Sequence, residues 1–510
     1  MAKLKIRPIP VPRKGLDYTK AGWELQPGFC PNAENMWYHR GSFKKVTGYV
    51  NFGSGLPFTG EIVLAGAEFE TFAGNNYLLA ITDSDIYKYE TSNTTWTSLS
   101  GSYSGDVDLP ISFTEMNDKF IFTNNVDNIQ KWTGTGNVTD LANATDYKCK
   151  VVRQFYNHLF LLNTTESGTA VPQRVRWSDV GDPEDWTTGD AGSNDLVDTP
   201  GWIMGADLLG DHLVIYKEDS IILCDWIGGT SIYSFVTKVT GTGLYAQNTL
   251  VNVKDRHFFL GTDNVYTYDG SNVSSSIGDN IRDELFSTID AQYKDRCFAF
   301  KLDQYHQYWL CIPTSSAYPD MAWVYNWKDK SWFKRPLPAT AAVLWKEQTL
   351  TNWDSIDATW DSLSISWDDK NFSEVYSALF LGTSDGYINK YDFASTNDDG
   401  SAIDGFFETP DYFKTEGQEE RDRSVTPLWL RWLGLKFYAK GDGVTLHYST
   451  DEGTTWTSIG TTTLTSSFAE YTVDLSTSAD RLRFRFRNNT TSETFEIQSK
   501  YDLMYQEKVQ

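Results

Sequence analysis

A short apolar run, a polar turn and a second run ending near an aromatic recur along most of this chain. That repetition limits the fold more than any other feature of its 510 residues. Tyr77-Leu78-Leu79-Ala80-Ile81 precedes Ile86-Tyr87-Lys88-Tyr89, and Phe120-Ile121-Phe122 precedes Ile129-Gln130-Lys131-Trp132. The same order returns from Leu159 to Trp177, Leu213 to Leu223, Phe258 to Tyr268, Tyr308 to Tyr325 and Ala378 to Tyr391. Runs this short, bounded by Gly, Asn, Asp, Ser and Thr, mark strands and turns, and helix periodicity is scarce. Run centres near 79, 121, 160, 214, 259, 310 and 380 leave gaps of 42, 39, 54, 45, 51 and 70 residues. A four-stranded propeller blade takes roughly 40–50 residues, so the period fits and the last gap requires an insertion. Closing such sheets into a ring leaves only short, protected edges. The expected fold is all-β, with a six- to seven-bladed β-propeller over 51–404.

The long gap holds a Trp-rich insertion at about 346–372, in which Trp353, Trp360 and Trp367 stand seven residues apart. It reads either as an exposed loop for partner contact or as aromatics folded back on the blades. From 405 onward the repeat stops. About seven short strands in the last 100 or so residues suit a separate antiparallel β-sandwich over 405–510. Its clearest strand is Arg481-Leu482-Arg483-Phe484-Arg485-Phe486-Arg487. Alternation places Leu482, Phe484 and Phe486 inside and Arg481, Arg483, Arg485 and Arg487 on the opposite face. That stripe is expected either to dock on an acidic neighbour or to be a solvated face with cross-strand partners such as Glu496. Residues 1–50 read as an extended arm leading into the first blade. Lys3, Lys5, Arg7, Arg13 and Lys14 alternate there with Pro8, Pro10 and Pro12, giving a basic strap that either crosses to an adjacent subunit or frays.

Charge narrows the function. With 44 Lys and Arg against 68 Asp and Glu, the net charge is −24. Such a chain repels phosphate backbones and anionic membranes, which disfavours nucleic-acid binding driven by counterion release. No 18-residue apolar stretch occurs, so no membrane insertion is expected. The N-terminus lacks the apolar region of a signal peptide. Five scattered cysteines without a CxxC pair read as buried thiols of a chain assembled in reducing conditions. No metal-ligand spacing, nucleophile elbow or phosphate loop is present, so no cofactor, metal or catalytic residue is assigned and the chain is not expected to be an enzyme. The six isolated histidines read as satisfied structural groups.

One motif is sharp. Ser449-Thr450-Asp451-Glu452-Gly453-Thr454-Thr455-Trp456 resembles the Asp box of sialidases and many other β-proteins. Ser449, Asp451, Gly453, Thr455 and Trp456 are expected to build a hairpin: Asp451 accepts backbone N–H groups, Gly453 takes a positive φ and Trp456 covers the base. The box occurs once, in the sandwich, and no FRIP-type arginine motif accompanies it. A sialidase-like glycosidase is therefore the weakest alternative.

Several segments resemble the nozzle proteins of short-tailed bacteriophages, the tail tubular protein B and tail-stabilisation group. They are Pro27-Gly28-Phe29-Cys30-Pro31-Asn32-Ala33-Glu34-Asn35 with Gly41-Ser42-Phe43-Lys44-Lys45-Val46-Thr47-Gly48-Tyr49, and Arg176-Trp177-Ser178-Asp179-Val180-Gly181-Asp182-Pro183-Glu184-Asp185-Trp186. Thr240-Gly241-Thr242-Gly243-Leu244, Phe259 to Tyr266 and Thr383-Ser384-Asp385-Gly386-Tyr387-Ile388 follow in order. The resemblance covers roughly 20–395 and implies a structural virion protein: a hexameric distal tail nozzle, assembled in the host cytoplasm. It further implies attachment to the adaptor below the portal and to a tail fibre or adhesin, with DNA only in transit. An acidic lumen would repel that DNA. The alternative is a glycan-binding propeller and sandwich for host-surface adhesion, which exposed aromatics would serve.

Overall fold

The computed structural model describes residues 4–507 apart from 54–56, 92–93, 102, 230, 347–376 and 414–427. Lys3 and the Trp353, Trp360 and Trp367 insertion therefore lie outside the described residues.

The repeating runs are the two middle strands of four-stranded antiparallel blades. Blade 1 spans 63–98, blade 2 112–140, blade 3 147–195, blade 4 203–240, blade 5 251–276, blade 6 298–336 and blade 7 341–391. Six of these units are separate four-stranded sheets, and blade 6 is the start of a 12-stranded sheet. Middle strands are covered on both faces by neighbouring blades, so they read as continuous apolar runs rather than alternating ones. Gln307–Ile312 is buried at every position.

Blade 7 takes its outer strand from the other end of the chain. Tyr49–Asn51 pairs antiparallel with Asn389–Tyr391, which closes the wheel. On its inner side Ala341–Trp345 packs on Val63–Glu70 of blade 1, where Thr340 Oγ1 donates to the Val63 carbonyl at 2.6 Å and Trp345 Nε1 to Asn76 Oδ1 at 2.6 Å.

The first fifty residues are not an arm held away from the body. Lys5–Pro10 pairs antiparallel with the C-terminal strand Phe495–Glu507, from Lys5 opposite Tyr505 to Pro10 opposite Lys500. The hairpin Met36–His39 and Ser42–Lys45 extends the same sheet. The second layer is built from Gly405–Glu408, Arg481–Asn488, Gly443–Ser449 and Thr457–Thr463. Between the layers lie Phe43, Phe407, Phe437, Phe484, Phe486 and Tyr501, all buried, with Phe407 stacked on Phe486 at 4.8 Å.

This second layer is continuous with the propeller. Ala33–Glu34 lies between Ser331–Pro336 of blade 6, which it joins in parallel, and Gly405–Glu408, which it joins antiparallel. Gly15 makes the neighbouring contact possible. At φ +78° it lies so close to blade 6 that a Cβ would stand 2.5 Å from the Trp332 carbonyl oxygen.

Arg335, only 1% exposed, sits where wheel, closing strand and junction meet. Its Nη1 donates to the Thr47 carbonyl at 2.8 Å and to Tyr391 Oη at 2.7 Å, and its Nη2 to Asp398 Oδ1 at 2.7 Å. Removing one member of a buried ion pair leaves the other charge desolvated and alone. Arg335→Ala is expected to lower the urea midpoint by a loss of about 3–5 kcal/mol. The paired change Arg335→Met with Asp398→Leu should recover most of it. A wild-type midpoint in Arg335→Ala would show that this contact does not hold the seam.

Candidate functional site

The inner strands surround the propeller axis. Residues from the first strands of blades 1–4, 6 and 7, with Gln247, Asn248 and Leu250 entering blade 5, line a central cavity of about 240 Å³. Small residues bring the strands close to the axis: Ala65, Gly66, Gly205, Ala206, Ala299 and Ala341. Arg153 is the charged group in this lining. Its Nη1 donates to Ser112 Oγ at 3.0 Å and to the carbonyls of Phe113 at 3.0 Å and Val152 at 2.8 Å, and its Nε stands 3.7 Å from Asp207. Beside the cavity, the loop joining blades 1 and 2 is tied to the entry of blade 6. Arg296 grips Asp108 through Nε at 2.6 Å and Nη2 at 3.1 Å, donates to the Ala317 carbonyl at 2.7 Å and lies over the Tyr293 ring at 4.4 Å. A cavity of this size holds a handful of waters. It is too small to hold a nucleic-acid duplex.

The sandwich holds the residues singled out from sequence. The Asp-box hairpin is built as expected: Thr455 N donates to Asp451 Oδ1 at 2.9 Å, Thr455 Oγ1 to Asp451 Oδ2 at 2.6 Å, Ser449 Oγ to Asp451 Oδ1 at 2.6 Å, and Gly453 sits at φ +87°. These bonds, Ser449 first, hold the Asp451 carboxyl down at about 2. Trp456 covers the Arg485 guanidinium at 4.0 Å, and that cation also faces Phe406 at 5.2 Å.

The arginine stripe is a partly solvated face whose cations are paired within the chain, though not with Glu496. Arg483 grips Asp411 through Nε at 2.9 Å and Nη2 at 2.6 Å and reaches Glu408 at 3.3 Å. Arg485 binds Glu408 at 2.6 Å, Arg487 binds Asp404 at 2.8 and 2.7 Å, and Arg481 binds Glu452. The cross-strand partner is the acidic segment Asp404 to Asp411. Glu496 pairs instead with Lys440 at 3.2 Å. In the arm, Arg7 lies over the Tyr412 ring at 5.9 Å and its Nη1 reaches the Phe413 carbonyl at 3.5 Å, while Lys5 is paired in register with Tyr505. Arg7 and the strand that carries Lys5 are thus seated on the chain's own sandwich.

All five cysteines are buried, and burial pushes Cys149 and Cys297 up to about 12. His257 lies between Tyr216 Oη at 2.9 Å and the Leu208 carbonyl at 2.9 Å, and burial lowers its pKa. His158 Nδ1 meets the Ser178 carbonyl at 2.7 Å. Among the described residues no three His, Cys, Asp or Glu side chains are grouped to hold a metal ion. No helix among them is long and apolar enough to cross a membrane.

The Arg176–Trp186 segment staples two blades. Glu184 takes Lys131 and, at 3.5 Å, Lys119 from blade 2, and accepts the Ala142 N–H at 2.9 Å. Trp177 Nε1 donates to the Asp190 carbonyl at 2.8 Å, and Trp186 is buried. The same loop exposes Val180, and nearby turns expose apolar side chains that sequence reasoning missed: Phe72, Tyr156, Trp226 and Ile227. The signal was present at Trp226-Ile227, where an apolar strand runs on into its turn.

Together these features define a β-propeller protein with a sandwich built onto one blade. No family model and no curated protein matches the chain. Among solved structures it is similar to YCF48 from Cyanidioschyzon merolae, at 9% identity and TM-score 0.36, over 66% of this chain and 97% of that one. It is also similar to PorZ, a surface component of the type-IX secretion system of Porphyromonas gingivalis, at 12% identity and TM-score 0.36, over 72% of this chain and 43% of that one. The extracellular domain of BT4673 from B. thetaiotaomicron matches at 10% identity and TM-score 0.41, over 88% of this chain and 60% of that one. The likeness is one of fold.

Two outcomes follow from the site chemistry. The folded protein should react negligibly with a thiol reagent and give five equivalents only on unfolding; a fast-reacting thiol would contradict the burial. The Asp451 carboxyl is ionised more readily folded than at its usual 3.8, so its contribution is present above that value and lost as pH falls through about 2. Protection of the Thr455 amide from exchange should therefore fall over that window, and Asp451→Asn should abolish the pH dependence. An unchanged profile in Asp451→Asn would refute the assignment.

Proposed function

We propose that this chain is a structural virion protein, the repeated subunit of a hexameric tail nozzle of a short-tailed bacteriophage. It conducts and retains DNA in a hole enclosed by its copies, attaches to the adaptor below the portal and to a fibre or adhesin, and acts without catalysis. One observation carries this reading. Three of the segments that resemble nozzle proteins, the two N-terminal ones and Arg176–Trp186, join one part of this fold to the next. Ala33–Glu34 bridges blade 6 and the sandwich, Tyr49–Asn51 closes the wheel, and Glu184 of the third segment fastens blade 3 to blade 2.

Two further facts support it. The axial cavity of about 240 Å³ is too small to hold a duplex, so on this reading the conduit lies between copies. The excess of 68 acidic over 44 basic residues suits a wall that DNA passes without adhering. Light scattering of the purified chain mixed with a portal–adaptor complex tests the reading. Six copies per adaptor, seen as a ring with an axial hole, are expected. A persistent single chain in the presence of the adaptor, or a lumen lined mainly by Lys and Arg, would overturn it.

A further inference from the structure

One face of the wheel carries an arc of exposed apolar side chains on blades 1, 3 and 4, joined across blade 2 by polar turn residues. The turns between first and second strands, and between third and fourth strands, emerge on the same face of every antiparallel blade. On blades 1–4 these turns are linked. Phe72 N donates to Asp118 Oδ1 at 2.6 Å, Asn117 Nδ2 donates to the Gly181 carbonyl, and Gly181 N donates to the Asn157 carbonyl at 2.7 Å. Tyr156 then stacks on Trp226 across the boundary between blades 3 and 4, with ring centroids 5.5 Å apart. Along this line Phe72 is 85% exposed, Trp226 52% and Ile227 56%, with Tyr156 and Val180 similar. Five such side chains bare roughly a few hundred Å², about as much as the largest apolar patch on a typical monomer, and such patches often mark interaction sites. Trp and Tyr are the side chains that dominate binding energy when an interface closes over them.

The rim of the arc is acidic, with Asp118, Asp179 and Asp182 on the same turns and Asp225 at the end of the strand that carries Trp226. A matching surface exists on the sandwich. Outward positions of the stretch before and along Leu430–Gly441 present Trp429, Arg431, Lys436, Tyr438 and Lys440, with Trp429 and Tyr438 exposed. Tyr438 extends this platform by stacking on Phe468 at 5.5 Å. Lys436 and Lys440 meet Glu470 at 3.1 Å and Glu496 at 3.2 Å, but half-exposed pairs of this kind exchange partners at little cost.

We propose that the arc Phe72–Tyr156–Val180–Trp226–Ile227 docks a second copy of this chain through the outer face of its sandwich sheet around Trp429 and Tyr438. Two different patches on one molecule make a head-to-tail contact, the kind that closes into a ring. This inference rests on the reading of the chain as a ring subunit and names the surfaces that make the ring.

Cross-linking tests it directly. Because the native thiols are buried, Ile227→Cys in one preparation and Tyr438→Cys in another give single reactive sites. Mixed with a short bis-maleimide, they should give a covalent heterodimer, whereas neither variant alone should. Trp226→Glu should reduce the assembly to single chains with an unchanged melting midpoint, since the side chain is half exposed. A ring that survives Trp226→Glu, with no cross-link, would overturn this interface and leave the nozzle reading standing. Wild-type chains that stay single with and without adaptor would overturn both. Saturable binding of a neutral glycan panel that Trp226→Glu abolishes would assign the arc to adhesion instead and overturn the docking proposal.

Discussion

A wheel of sheets has one seam, and the rest of this structure depends on how it is closed. Tyr49–Asn51 supplies the outer strand of a blade whose other strands lie more than 290 residues further along the chain. The entropy of closing so long a loop grows only with the logarithm of its length, so distance in sequence is a modest obstacle. Finding the right edge is harder, because three residue pairs make a weak ladder on their own. Arg335 supplies what the ladder lacks. One guanidinium, anchored in blade 6, holds the carbonyl that precedes the closing strand, the Tyr391 hydroxyl beside it and the Asp398 carboxylate beyond.

That seam dictates where both termini go. Once Tyr49 is fixed on blade 7, the preceding residues must leave near blade 6, where Ala33–Glu34 extends its sheet. The sandwich then forms where the two chain ends meet, with Lys5–Pro10 along the C-terminal strand. Lys45 locks this arrangement by donating to Asn488 Oδ1 at 2.9 Å and to the carbonyls of Thr490 at 3.2 Å and Glu493 at 3.1 Å. Burial lowers its pKa to about 8, a cost that these three acceptors offset. Separate domains usually move on one another. Here hydrogen-bonded strands run from blade 6 into the sandwich, and Trp37 stacks on Tyr305 at 5.2 Å across the joint.

The parts of the fold legible in sequence were those with a local cause. Middle blade strands such as Gln307–Ile312 are buried on both faces and announce themselves as apolar runs. Outer strands such as Ser275–Ser276 and Gly192–Asp195 carry no such pattern, because their register is set by a neighbour and not by their own residues. The Asp451 acceptor and the turn at Gly453 were legible in the Asp box because both are local, whereas the seat of Trp456 over Arg485 was not. The arginine stripe was legible as an alternation but not in its partners. Asp404, Glu408 and Asp411 are brought to it by strand pairing across about 75 residues, which no local pattern encodes. Nor did the first fifty residues reveal that they belong to the sandwich, because Pro8 and Pro10 read as a strap while their strand is held through a neighbour's edge.

The distribution of charge bears on how such a chain can assemble. Many of its cations are already committed within the molecule: Arg174 and Arg176 around Glu166, Arg296 to Asp108, Arg335 to Asp398, and the sandwich arginines to the 404–411 segment. What remains toward solvent is mostly carboxylate, so two copies approaching one another repel at long range. Salt screens that repulsion within about 8 Å at physiological ionic strength and leaves apolar contact unaffected. An acidic subunit that associates with itself must therefore draw its affinity from buried aromatic surface, with charge deciding orientation only. The exposed apolar side chains on blades 1, 3 and 4 meet that requirement, and the internally paired arginines do not.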